Sequence, residues 1–99
     1  MKFFLYKSWS VRTYNILRRG DVAITCAEEA IHYGNLCLMR QIRNAGAVTA
    51  IELYRGGGLG AYEILYRLNN WQPLGYRKWT IEEVRLFCEQ FDRMFHVTD

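Results

Sequence analysis

Residues 10–20, Ser-Val-Arg-Thr-Tyr-Asn-Ile-Leu-Arg-Arg-Gly, contain the signals for both ends of one short helix. Ser10 is a typical N-cap, because its hydroxyl can accept a hydrogen bond from a free amide of the first turn. Gly20 is a typical stop, since glycine adopts helix-ending backbone conformations without strain. We therefore predict a helix over Val11–Arg19 and interpret the rest of the chain outward from it.

The following residues, 25–46, predict further helix. Residues 25–28, Thr-Cys-Ala-Glu, have the form of a capping box, in which the threonine and glutamate side chains satisfy each other's backbone amides. A helix should begin near Cys26 and stop at Gly46, with a weak point at Gly34 that could split it in two. Its small and apolar residues recur at helical spacing: Ala27, Ala30, Ile31, Gly34, Leu38, Ile42 and Ala45.

Residues 47–73 give a mixed pattern. Residues 47–55 favour a strand by their β-branched residues and a helix by their spacing, so the pattern leaves both open. The glycine-rich residues 56–60 lack the ending of a phosphate-binding loop and are better explained as a helix terminator and tight turn. Beyond them an alternation typical of a hairpin strand, closed by turn residues 69–73, comprises Tyr62, Ile64, Tyr66 and Leu68.

The most regular pattern begins at Thr80, which with Glu83 forms a second capping box. It predicts an amphipathic helix of about four turns. We expect this helix to pack on its own domain; the alternative is that it binds a partner or a second copy of the chain. Its apolar stripe consists of Ile81, Val84, Phe87, Cys88, Phe91 and Phe95, and the candidate partner-binding residues are Phe87, Phe91 and Phe95.

The composition fits one ordered domain with a basic surface. The chain has 99 residues, of which 51% are hydrophobic and 15% aromatic, enough for one core and too few for two ordinary domains. Residues 1–79 contain 11 Lys and Arg against 5 Asp and Glu, whereas residues 80–99 contain 2 against 5. Ten of the thirteen basic residues are arginine, which binds phosphate in a bidentate manner, so we expect either an anionic partner or a solvated basic face.

The sequence shows no pattern typical of an enzyme or a metal site. Cys26, Cys37 and Cys88 lack metal-ligand spacing and fall where small core residues are expected, so we predict free thiols. His32 and His96 have no carboxylate or cysteine at a spacing typical of a catalytic pair. We expect no enzymatic activity and no cofactor. The chain contains no apolar run long enough to span a membrane, and we expect a cytoplasmic protein without membrane contact.

Four blocks of the sequence resemble the C-terminal domain of the bacterial RNA polymerase alpha subunit, over about residues 8–73. Residues 10–19 look like its S-V-R-[ST]-x-N-x-L-K-R, and residues 42–46 are similar to its R-N-L-G hairpin. Thr49 and Glu52 fall at the serine and glutamate of its G-x-K-S-x-x-E-I. Residues 66–73, Tyr-Arg-Leu-Asn-Asn-Trp-Gln-Pro, resemble its M-R-L-E-N-W-P-P. The blocks have the same order and nearly the same spacing.

The resemblance implies a compact all-α domain containing helix-hairpin-helix elements, with residues 47–55 helical and residues 80–95 as an added helix. Residues 10–56 would then form four short helices, the last two joined by a tight turn at residues 44–46. Arg12 would enter the minor groove of A·T-rich DNA, and backbone amides beside the hairpin glycine would approach a phosphate. The DNA-binding residues implied in this way are Arg12, Asn15, Asn44, Gly46, Thr49 and Glu52.

The sequence departs from this family at three places. Val48 stands where the family has a phosphate-binding lysine, Tyr6 and Ser8 replace an acidic patch presented to sigma factor, and about three residues are added near residues 20–24. The first hypothesis is a small bacterial or phage DNA-binding protein that acts in transcription by engaging A·T-rich DNA, RNA polymerase or a transcription factor. The alternative is an interaction or inhibitor protein, encoded by a phage or mobile element, that keeps the scaffold without binding DNA. A homodimer through the C-terminal helix is a further expectation.

Overall fold

The computed structural model describes residues 10–20, 24–42, 45–71 and 77–97, with side chains as far as Arg93. The described residues form five helices and no strand. The expected all-α class is therefore confirmed. Numbered in chain order, the helices are α1 Val11–Arg19, α2 Ala27–Leu38, α3 Ala47–Gly56, α4 Ala61–Trp71 and α5 Ile81–Val97.

The first helix has the predicted ends. The backbone amide of Thr13 donates a hydrogen bond to the Ser10 hydroxyl at 3.2 Å, which satisfies one of the free amides of the first turn. At the other end the Gly20 amide donates to the carbonyl of Ile16 at 3.1 Å. Capping chemistry alone therefore fixed the bounds of α1.

The second helix begins as predicted but uses a different glutamate. Cys26 is the N-cap and has no side-chain capping bond. The Glu29 carboxylate accepts hydrogen bonds from the Thr25 amide at 2.7 Å and the Thr25 hydroxyl at 2.9 Å. The capping box predicts Thr25 as the N-cap, but the helix begins one residue later, with Cys26 as the N-cap. The glutamate three residues after the N-cap is therefore Glu29. The predicted pairing of Thr25 with Glu28 is wrong.

The same helix is unbroken at Gly34, where a split was expected. A Cβ atom at Gly34 would lie 2.8 Å from Cε1 of Tyr54 on α3, so this glycine permits the close packing of two helices. The helix ends at Leu38, before Gly46, and Arg40 turns the chain with a left-handed φ of 61°. The described part of residues 10–56 contains three helices, and the prediction of four is wrong.

The third helix confirms the helical interpretation of residues 47–55. Gly46, which was expected to end a helix, is instead the N-cap that begins α3. The helix ends at Gly56, and Gly58 has a φ of 94°, a left-handed conformation that favours glycine. The glycine-rich segment is therefore a helix terminator and turn, as predicted.

The alternating residues 62–68 belong to α4, and the predicted hairpin strand is wrong. Ile64 and Leu68 are buried, whereas Tyr62 and Tyr66 are exposed. Residues two apart differ by about 200° around a helix, and residues four apart by about 40°. One buried and one exposed helical face, both apolar, therefore reproduce the alternation of a strand.

The last helix begins with the predicted capping box. The Thr80 amide donates to the Glu83 carboxylate at 3.0 Å, and the Glu83 amide donates to the Thr80 hydroxyl at 3.2 Å. Val84, Cys88 and Phe91 are buried, and α5 packs against α3 and α4. The expectation that this added helix packs on its own domain is confirmed for the described side chains.

The third helix forms the centre of the fold, because residues 49–54 are all buried. It packs most extensively against α2 and also contacts α1, α4 and α5. A bidentate ion pair fixes α5 to it: Arg55 donates to the two carboxylate oxygens of Asp92 at 2.9 and 2.7 Å. None of the helices in the described part of the chain is long and apolar enough to cross a membrane.

Candidate nucleic-acid interface

The first helix presents arginines to solvent. Arg12, Arg18 and Arg19 are exposed, and none of them has an ion-pair partner among the described residues. Arg55 and Arg67 are instead paired, with carboxylates of α5 and α4. The first turn of α1 also contains no acidic residue. This helix therefore presents three positive charges that an outside anion could contact.

Helix geometry places the predicted contact residues of α1 together. The predicted pair, Arg12 and Asn15, are three residues apart and so share one side of the helix, where Arg19 follows four residues after Asn15. Asn15 is half-buried and Arg12 is exposed. The side facing the protein consists of Thr13, Ile16 and Leu17, all of which are buried. The burial of that side directs the arginine side outward.

Glu52 holds the start of this helix in place. Its carboxylate Oε1 accepts a hydrogen bond from the backbone amide of Ser10 at 3.1 Å, and only 9% of the residue is exposed. A negative charge is favourable beside the free amides of a helix N-terminus. Glu52, expected to contact DNA, therefore acts on α1, two residues before Arg12.

The start of α3 holds the other predicted contacts. Gly46 is exposed and extended, and no atom lies within 4 Å of where its Cβ would be. Neither backbone strain nor crowding therefore requires glycine, so the close approach of a phosphate at Gly46 stays a prediction. Thr49 is buried, which favours a packing role over a direct contact. Val48 is half-buried, and Asn44 lies outside the described residues.

A pocket of about 300 Å³ lies where α1, α3 and α5 meet. It brings Arg93 of the added helix beside Ser10 and Glu52. Sequence analysis treated α5 as an acidic helix and did not connect Arg93 with α1. Only the fold could show this, since 83 positions separate Ser10 from Arg93 and the resemblance stops near residue 73. The pocket is lined by Ser10, Glu52, Phe87, Gln90, Phe91 and Arg93.

Two of the three rings expected to bind a partner, those of Phe87 and Phe91, pack within the domain. Phe91 is 3% exposed in the core, and Phe87 packs edge-to-face on Trp79 with ring centroids 5.8 Å apart, a favourable geometry for aromatic pairs. The burial of Phe91 favours a packing role, and its assignment as a partner-binding residue stays a prediction. The side chain of Phe95 lies outside the described set.

The buried thiols of Cys37 and Cys88 are held in the protonated form. Burial raises the pKa of the Cys37 thiol to about 12 and also raises the pKa of Cys88, whereas nucleophilic cysteines have lowered pKa values. All three cysteines are free, as predicted, with Cys37 and Cys88 buried and Cys26 half-buried. Among the residues that the structure describes, no group of three His, Cys, Asp or Glu is placed to hold a metal ion.

No protein-family model, curated protein or solved structure matches this chain.

Proposed function

We propose that this protein binds duplex DNA and acts in transcription, in a manner similar to the C-terminal domain of the RNA polymerase alpha subunit. One observation carries the proposal. Arg12, Arg18 and Arg19 are exposed without ion-pair partners in the described structure, on a helix whose start is bonded to Glu52 of the central helix. Three unpaired guanidinium groups on one helix suit a polyanion, because their phosphate contacts release condensed counterions.

The three arginines have different tasks in this proposal. Arg12, at the start of α1, enters the minor groove, where a narrow A·T-rich groove concentrates negative potential. Arg18 and Arg19 lie about 10 Å further along the helix, as the rise per residue requires, and contact phosphates. Backbone amides at the start of α3 supply a further phosphate contact beside Gly46. Phosphate contacts set affinity, and the groove contact sets the preference for A·T pairs.

A titration of two labelled duplexes tests the proposal. An A·T-rich and a G·C-rich duplex of equal length are each titrated with the full chain over a range of salt concentrations. The three cationic side chains Arg12, Arg18 and Arg19 predict that the logarithm of the binding constant falls with that of salt with a slope of roughly −3. The A·T-rich duplex should bind more tightly at every salt concentration. Folded protein that binds neither duplex at low salt would refute the proposal.

A second candidate function is a protein-interaction module on the same scaffold. It is favoured by exposed aromatic and apolar side chains on α4 and α5, where Tyr62, Tyr66 and Leu86 are 65%, 58% and 52% exposed. Arg85 joins the two helices at this surface by donating to the Tyr62 hydroxyl at 3.1 Å. Sedimentation at several protein concentrations tests whether two copies of the chain associate through this surface. Association that Leu86→Glu abolishes, in a protein that does not bind DNA, would favour this candidate as a dimer.

A further inference from the structure

The added helix α5 brings one cation to the beginning of α1. Arg93 is exposed and lines the pocket that Ser10 and Glu52 also line. It has no ion-pair partner among the side chains described for residues 10–20, 24–42, 45–71 and 77–93. Ser10 is the N-cap of α1, and Arg12 follows two residues later. Arg93 and the N-cap of α1 therefore line one pocket although they are distant in sequence.

The residues just before Arg93 hold its backbone firmly. Phe91 is buried in the core, and Asp92 makes the bidentate ion pair with Arg55 of α3. A guanidinium group on a rigid helix loses less conformational freedom on binding an anion than one on a flexible segment does. Arg12 has a similar support, because its helix is bonded to α3 through Ser10 and Glu52.

Among the described side chains, no carboxylate forms an ion pair with Arg93. Glu52 is the carboxylate that lines the pocket with it, and its Oε1 is engaged by the Ser10 amide. The carboxylate of Asp92 is engaged by Arg55. Arg93 thus keeps an exposed positive charge on a helix whose overall composition is acidic.

We propose that Arg93 belongs to the same DNA-binding surface as Arg12 and contacts a backbone phosphate of the duplex. This inference rests on the proposed function and extends it to a helix that the sequence resemblance does not cover. A phosphate contact adds affinity without reading sequence. Arg93 therefore contributes to binding on any duplex, while Arg12 contributes the preference for A·T pairs.

Variants at Arg93 and Arg85 test this inference in the full chain. Arg85 is a matched control, because it lies on the same helix but is turned toward α4, with its guanidinium 5.3 Å from the centroid of the Tyr62 ring. Arg93→Ala should make the salt slope shallower by about 0.9, the value of one phosphate contact, and weaken binding equally on A·T-rich and G·C-rich duplexes. Arg93→Lys should keep the slope, and Arg85→Ala should leave slope and affinity unchanged.

The outcomes separate this inference from the proposed function. If the wild type binds and Arg12→Ala lowers its A·T preference, but Arg93→Ala leaves the salt slope unchanged, the inference is wrong and the proposed function stands. If Arg85→Ala changes the slope as much as Arg93→Ala does, the effect is one of general charge and the inference is also wrong. If the wild type binds neither duplex, both fail. Thermal melting of each variant, expected to match the wild type, shows that the fold is retained.

Discussion

The carboxylate of Glu52 and the backbone amide of Ser10 are 3.1 Å apart, a hydrogen bond that spans 42 positions of the sequence. It ties the central helix to the N-cap of the arginine-bearing helix. Among the described helices, α1 makes its main contacts with α3. The orientation of Arg12 therefore depends on a residue that itself is almost fully buried.

Replacing Glu52 should weaken DNA binding by releasing α1. Glu52→Ala leaves the Ser10 amide without its acceptor, and removal of a charged hydrogen-bond partner costs about 1.5–3 kcal/mol. Glu52→Gln keeps an oxygen acceptor and should retain most of both stability and affinity. Urea denaturation and duplex titration of the two variants check this. Tighter DNA binding by Glu52→Ala would show instead that the carboxylate only repels phosphate.

Arg12→Ala should weaken DNA binding more than Arg85→Ala. Arg12 has no ion-pair partner in the described structure, whereas Arg85 is bonded to the Tyr62 hydroxyl. Loss of the groove contact should cost about 1.5–3 kcal/mol and reduce the preference for A·T pairs. Titration on both duplexes at one salt concentration measures this. Equal losses from the two substitutions would indicate nonspecific electrostatic binding.

Gly34→Ala should destabilise the fold. The new methyl group would meet the Tyr54 ring at 2.8 Å, and overpacking of this kind costs about 1–3 kcal/mol. Gly60→Ala is the matched control, since nothing lies within 4 Å of its Cβ position, and its effect should stay within about 0.5 kcal/mol. Chemical denaturation compares them. A Gly34→Ala protein as stable as the wild type would mean that α2 and α3 separate without cost.

Alkaline pH should unfold the protein through Tyr54. Burial raises the pKa of its phenol from 10 to about 12, so the folded state favours the protonated form. The stabilisation is fully present below pH 10 and is lost as pH rises from 10 toward 12, at up to about 1.4 kcal/mol per pH unit. Tyr54→Phe, which loses the 2.6 Å bond to Asn35, should be less stable at neutral pH but show a shallower alkaline decline.

The buried thiol of Cys37 titrates in an overlapping range. Its pKa rises from 9 to about 12, so some alkaline decline should remain in Tyr54→Phe and become smaller when Cys37→Ala is added, with a remainder from Cys88, whose pKa burial also raises. Denaturant midpoints measured from pH 7 to 12 resolve the two contributions. An unchanged alkaline decline in Tyr54→Phe would contradict the assignment to the phenol.

Phe91→Ala should remove much of the stability of the domain. Phe91 is 3% exposed, and truncating a buried phenylalanine costs about 3–5 kcal/mol, a large share of the stability of a small domain. Leu86→Ala, on the same helix but 52% exposed, serves as control and should change stability by less than about 0.5 kcal/mol. Equal melting temperatures would show that α5 is not part of the core.

Sequence analysis located the helix ends that depend on local chemistry and missed those that depend on packing. Ser10, Gly20 and Thr80 fixed the ends of α1 and the start of α5 through hydrogen bonds within one turn. The helix is not split at Gly34, although glycine has a low helix propensity. The close contact with Tyr54, a residue 20 positions away, stabilises the helix there. The strand expected at residues 62–68 is a helix. Over so short a segment, a helix with two apolar faces gives the same alternation of residues as a β-strand.

The candidate site could be predicted only in part for the same reason. Arg12 and Asn15 follow from one sequence block and do share a face of α1. The buried position of Glu52 and the arrival of Arg93 at the start of α1 depend on how α3 and α5 pack. No spacing within a single helix contains that information.

The contact between Gly34 and Tyr54 also limits how this protein can diverge. Position 34 has no room for a side chain while an aromatic ring occupies position 54. A substitution that adds a side chain at position 34 therefore requires a substitution at position 54. A related sequence with a larger residue at 34 should carry a smaller one at 54. Such a sequence should also differ at positions 35 and 67. Asn35 accepts a hydrogen bond from the Tyr54 hydroxyl and Arg67 lies over the Tyr54 ring, and both contacts are lost with the tyrosine. Where α2 packs on α3, related sequences should therefore change positions 34 and 54 together, along with the polar residues that contact Tyr54.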